Sequence, residues 1–176
     1  MISRGPGAPS PAGAVPQGTV WWHGVLIGAL VLLLSPVLLV LLLIYVIYVA
    51  ALYAAIWAWW LPRGRDVLFA YSDSPVWQAS LERDILPLIE DRAVVLNWSQ
   101  RARWRTTLAT VAFHHFGGHR SFNPLAVVFR PFRRARVFRF WQPFRDWKHG
   151  RREPLERMER EFLAALGIEK PHHSAA

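Results

Sequence analysis

From Val25 to Leu61 the chain carries no charged residue, and only Gly28, Ser35 and Pro36 interrupt its apolar character. A helix through this run is apolar all round, whereas a helix on the surface of a soluble domain needs a polar face. Runs above about 18 apolar residues are candidates to cross a membrane. A buried core helix is the competing explanation, and the run is too long for one. A secretory signal does not fit, because its apolar region spans about 7–15 residues and ends at a small-residue cleavage site. No A-x-A site follows Leu61.

At about 1.5 Å per residue the run measures roughly 55 Å, against about 30 Å of hydrocarbon. Two spans of about 17 residues each would leave almost nothing for a turn, and Ser35-Pro36 sits off-centre. The expectation is therefore one transmembrane segment over residues 21–61, with a Pro-bent, tilted or interfacial N-terminal part. A re-entrant hairpin is the alternative. Trp21 and Trp22 at one end, and Trp57, Trp59 and Trp60 at the other, suit the two aromatic interfaces.

Arg63 and Arg65 follow the run at once, while the preceding residues offer only Arg4. Basic residues stay on the cytoplasmic side, which predicts a single-pass protein of the inner (plasma) membrane with a cytoplasmic C-terminal part. Nineteen Arg against two Lys is the usage of a GC-rich bacterial genome. Residues 1–20, rich in Pro and Gly, and residues 171–176 read as disordered tails.

Residues 65–170 read as one small α/β domain. Asp66–Ser72, Ala93–Trp98 and Leu125–Phe129 are short apolar runs expected to be buried strands. A fourth strand is expected over Arg136–Trp141, antiparallel to the third because the link is too short to cross over. Ser74-Pro75 looks like a helix start. Trp77, Leu81, Ile85 and Leu88 recur at helical spacing, with a bend expected at Pro87. This face and the Val94/Leu96 strand are expected to share one core. Ser99 is expected to cap a second helix bearing Trp104, Leu108, Val111 and His115 on one face and ending at Gly117-Gly118. Leu155, Met158, Phe162 and Leu166 mark a last helix, stopped by Gly167. Strands alternating with helices imply a parallel sheet.

The order β-α-β-α-β-β-α, with Pro124 just before the third strand and a proline within the first helix, resembles the thioredoxin-like topology. That resemblance implies a redox CxxC at the first strand–helix turn. Ser72-Asp73-Ser74-Pro75 stands there instead, and the chain has no cysteine, so thiol chemistry, disulfides and thiolate zinc sites are excluded. A truncated Rossmann-like sheet is the alternative.

In open α/β sheets, ligands sit beyond the carboxyl ends of the strands. Those ends carry Ser72, Asp73 and Ser74, and Asn97, Ser99 and Arg101, where helix N-termini and the basic Arg101, Arg103 and Arg105 would suit an anionic group such as phosphate. Plain helix capping is the competing role for the two serines. GxGxxG, GxxxxGK[ST], HExxH and GxSxG are all absent, so no cofactor or metal is expected. His114, His115 and His119 cluster in sequence but lack a neighbouring carboxylate, and they read as a helix end.

Residues 130–152 hold nine basic residues and one acid, Asp146, whereas the rest of the chain from Arg63 onward balances eleven against eleven. Arg130, Arg133, Arg134, Arg136 and Arg139 alternate with aromatic residues. On a tethered domain the nearest polyanion is the cytoplasmic leaflet, which attracts about 1 kcal/mol per nearby basic residue. A solvated face with aromatics turned into the core is the first reading of this stretch, anionic lipid headgroups are the candidate partner beside it, and nucleic acid is not expected. No protein partner is indicated. The function expected is that of a membrane-anchored binding or scaffold module. The alternative is a membrane-tethered enzyme acting on an anionic, phosphate-bearing substrate through Ser72, Asp73, Ser74 and Arg101.

Overall fold

A computed structural model describes residues 20–118 and 123–168, and for Val20 and Trp21 the backbone only; the tails, His119 and the Trp21 side chain lie outside the described residues. It is a mixed α/β structure with one long apolar helix and a small four-stranded sheet. The chain divides into two compact units, residues 1–47 and 48–176.

The first unit holds most of helix α1, Val20–Trp59. Neither a hairpin nor a break occurs at Pro36, which stays inside the helix. Proline lacks an N–H and leaves the carbonyl four residues back without its partner. Ser35 Oγ donates to that carbonyl, Leu32 O, at 2.9 Å. From Trp22 to Ile47 the side chains are exposed, with Ser35 half-buried, and the helix is long and apolar enough to cross a membrane, its most apolar 18-residue stretch having a mean hydropathy of 3.1.

The second unit begins inside the same helix. Strand β1, Val67–Tyr71, pairs in parallel with β2, Ala93–Asn97. It pairs antiparallel with β3, Leu125–Val128, and β3 pairs antiparallel with β4, Arg136–Arg139. The strand order is β2-β1-β3-β4. The four strands lie where the apolar runs put them. The all-parallel expectation for the first three is corrected, because β3 runs opposite to β1. The Asn123–Pro124 bond leading into β3 is cis.

Both faces of the sheet are covered. On one face Val67, Phe69, Ala126, Val128 and Phe138 pack with Leu81, Ile85, Ile89, Phe144, Phe162 and Leu166. On the other, Leu68, Ala70, Leu125, Val127 and Phe129 pack with Ala109, Ala112, Phe113, the α1 residues Leu52 and Ile56, and Trp60 just after the helix. Val94 and Leu96 pack on this second face, not with Trp77, Leu81 and Ile85. Successive strand residues point to opposite faces, so Val94 and Leu96 follow their partners Leu68 and Ala70. Trp60, only 5 % exposed, meets Phe129 edge-on and is a core residue rather than an interfacial one.

The first helical connection comprises α2, Gln78–Ser80, a π turn over Leu81–Ile85, and α3, Leu86–Ile89. The proline effect expected at Pro87 takes this form: Leu86 N–H reaches back five residues to Leu81 O, widening the turn just before the ring. The second connection is a 3₁₀ helix, Trp98–Arg103, followed by α4, Leu108–Gly117. Ser99 does not cap α4. Thr107 does, accepting from Thr110 N–H, while Thr110 Oγ1 accepts from Thr107 N–H. Ser99 is instead held by an Asx turn from Asn97, which competes with regular helix at that point. Gly118 follows at φ +72°, and a β-carbon there would press on the Arg139 guanidinium.

Helix α5, Trp141–Lys148, was not expected. Phe140, Phe144 and Trp147 carry its helical spacing, and the first two are fully buried. Helix α6, Glu153–Leu166, ends at Gly167 with φ +70°.

Candidate functional site

The carboxyl ends of β1 and β2 lie side by side, with Tyr71 opposite Asn97. The residues that follow them interlock. Asn97 Nδ2 donates to Asp73 Oδ1 at 2.7 Å, Ser99 N–H to Asn97 Oδ1 at 2.9 Å, and Asp73 N–H to Ser99 Oγ at 3.0 Å. Ser74 N–H donates to Ser72 O, and Ser74 O accepts from Trp77 and Gln78 N–H. Ser72, Asp73, Ser74, Asn97 and Ser99 therefore come together as expected, but largely to bond one another. Among the described residues, no hydrogen bond joins a histidine to Ser72, Asp73 or Ser74. The amino end of β3 adjoins this edge, and the buried polar atoms Trp77 Nε1 and Asn123 Oδ1 lack partners.

Arg101 turns away from the cluster. Its guanidinium lies over the Trp98 ring at 5.1 Å and lines an open cavity of about 320 Å³ with Trp98, Trp104, Arg105, Thr106, Thr110, Val111 and His114. The aromatic wall is assembled from Trp98 and Trp104, 5.6 Å apart and edge to face, both resting on Phe113. Trp104 lies before α4 rather than on its face as expected, and His114 lines the groove rather than only ending the helix; the alternation Arg101-Ala-Arg-Trp-Arg105 is the signal that marks the groove. Among the described residues no three of His, Cys, Asp and Glu gather as metal ligands.

The basic stretch divides into two kinds of arginine. Arg130 Nη2 donates to Ala165 O at the end of α6, and Arg139 Nη1 to Gly117 O at the end of α4. There they satisfy orphan carbonyls at the negative end of each helix. Arg136 lies over Phe138, Arg145 over Trp141, and Arg151 pairs with Asp146. Arg133 and Arg134 are exposed in the β3–β4 loop. Beside them Phe132 is 89 % exposed and holds a φ of +55°. For a bulky residue that left-handed conformation is a strained outlier. Its ring faces Trp57 of α1 at 5.1 Å, and Tyr53 Oη accepts from Ala135 N–H.

No family model, curated protein or solved structure matches the chain.

Proposed function

We propose that this chain is a single-pass protein of the plasma membrane whose cytoplasmic α/β unit is a non-enzymatic binding or scaffold module working against anionic lipid headgroups. One observation carries the reading: the helix able to cross a membrane runs without a linker into the unit's core, where Leu52, Ile56 and Trp60 are buried. A unit built on its own anchor stays within a short distance of the bilayer.

The β3–β4 loop supplies a contact of matching chemistry. Phe132 suits the interfacial layer and Arg133 and Arg134 suit anionic headgroups. The arginines of the unit also favour the cytoplasmic side. A thioredoxin-like arrangement without its cysteines agrees with the order β2-β1-β3-β4, with β3 alone reversed and Pro124 directly before it. Binding is favoured over catalysis because Asp73 and Ser99 are engaged with each other and with Asn97 rather than with a base.

The natural absence of cysteine makes spin labelling direct. Full-length chain carrying a nitroxide at Val40→Cys, Phe132→Cys or Ala102→Cys is placed in nanodiscs of neutral or part-anionic lipid. Oxygen access at 40, shielding of 132 from an aqueous nickel chelate in anionic discs, and full water access at 102 are expected. Water access at 40 would overturn the anchoring. Equal chelate access at 132 and 102 would overturn the headgroup contact. Maleimide labelling of Ser80→Cys in intact cells would reverse the orientation.

A further inference from the structure

We infer that the groove between Trp98, Trp104 and His114 binds a small planar aromatic anion, such as an aryl carboxylate. The site goes beyond the lipid-binding reading and does not depend on it. Three observations carry it.

The first is shape. The cavity of about 320 Å³ falls at the lower end of the range of small-molecule sites, about 300–1,000 Å³, and suits a one- or two-ring compound rather than a polymer. The second is the wall. Trp98, Trp104 and Phe113 brace one another within 5.4–5.6 Å, so flat apolar surface is presented without being ordered on binding. The backbone at Arg105 is held as well, since its carbonyl accepts from Thr110 Oγ1 at 3.1 Å beside the Thr107–Thr110 capping box.

The third is charge. Arg101 and Arg105 both line the groove, and among the described residues no acidic one does. A guanidinium offers five N–H donors in a planar fork, and at Arg101 it is stacked on Trp98 with one N–H reaching Trp98 O at 3.5 Å, so donors remain for a carboxylate. The ring of the ligand meets the tryptophans, and its acid group meets Arg101 and Arg105.

The test uses 2-naphthoate against full-length chain with ¹⁵N-labelled tryptophan in nanodiscs, reading the indole N–H signals. Naphthoate is expected to shift Trp98 and Trp104 saturably, with the neutral 2-naphthamide and the saturated cyclohexanecarboxylate each binding at least about tenfold more weakly. The double variant Arg101→Gln/Arg105→Gln removes two exposed side chains and should weaken naphthoate at least about tenfold while the other indole signals stay in place. Arg101→Lys/Arg105→Lys should recover part of the loss. Absence of shifts at Trp98 and Trp104, equal binding of the amide, equal binding of the saturated acid, or an unchanged affinity in the Gln variant with its fold intact would each overturn the proposal.

Discussion

Arg92 grips Asp66 with two donors: Nε meets Oδ1 at 3.0 Å and Nη2 meets Oδ2, while Nη1 donates to Leu166 O. Asp66 immediately precedes β1 and Arg92 immediately precedes β2. The pair therefore fastens the amino ends of the two parallel strands to the end of α6. Asp66 and Val67 N–H both donate to Arg92 O and continue the closure through the backbone.

Arg92→Gln should lower stability by about 2 kcal/mol, the scale of hydrogen bonds to charged groups, since the pair is only partly screened by solvent. Arg92→Lys should recover less than half, because an ammonium cannot make the bidentate contact. Denaturant melts of the full chain in micelles check both. A loss no larger than that of an exposed ion pair, under about 1 kcal/mol, would mean that the pair is not part of the closure.

Ile56 is wholly buried although it lies in the apolar run. Ile56→Ala should cost the α/β unit about 2–5 kcal/mol, as for any core aliphatic. Ile47→Ala, at an exposed position nine residues earlier on the same helix, should leave the melt of the unit unchanged. Equal effects from the two substitutions would show that α1 contributes nothing to the core.

Tyr71 holds its proton more tightly than a free phenol. Burial is the largest cause, followed by the nearby Glu82 carboxylate, which also accepts a bond from Tyr71 Oη at 3.4 Å, and then by Asp73. A folded pKa raised above the ordinary value of 10.0 means that the unfolded chain loses its proton first. The stabilisation is complete below pH 10 and fades as pH climbs through the raised value. Alkaline melts should therefore decline in wild type and flatten in Tyr71→Phe. Glu82→Gln should bring the titration of Tyr71, followed by its phenolate absorbance against the Phe variant, part of the way back toward the ordinary value.

The apolar runs from Val67 and Leu125 were legible because a strand covered on both faces has no polar alternation to obscure it; the run from Ala93 also forms a strand, but at the sheet edge, where it is half-buried and Val95 is exposed rather than buried as expected. Gly118 and Gly167 were legible because a helix end at positive φ favours glycine. Ser99 misled: serine before a helix and serine inside an Asx turn look alike in sequence, and only Asn97 Oδ1 accepting from Ser99 N–H separates them. Helix α5 was hidden by the basic residues around Phe140, Phe144 and Trp147 and by Pro143, which the start of a helix tolerates. The interlocking of Asp73, Asn97 and Ser99 was foreseen as a neighbourhood, since parallel strands bring their carboxyl ends together, but not as a mutual bonding arrangement.

By itself the sequence determined one apolar run long enough to span a membrane, four strands, and the impossibility of thiol chemistry, since these follow from local composition and period; that the run is a single helix through Pro36, neither broken nor folded into a hairpin, was decided by the structure. The sequence also showed an excess of arginine over residues 130–152. The tertiary structure decided which side of the sheet each residue serves. It sent Trp60, Leu52 and Ile56 into the core although their neighbours in sequence are equally apolar. It turned Arg130 and Arg139 onto helix-end carbonyls and left Arg133 and Arg134 exposed. Hydrophobicity and charge are properties of a residue, but the partner that satisfies them is set by contacts between segments dozens of residues apart, and those exist only once the sheet has closed.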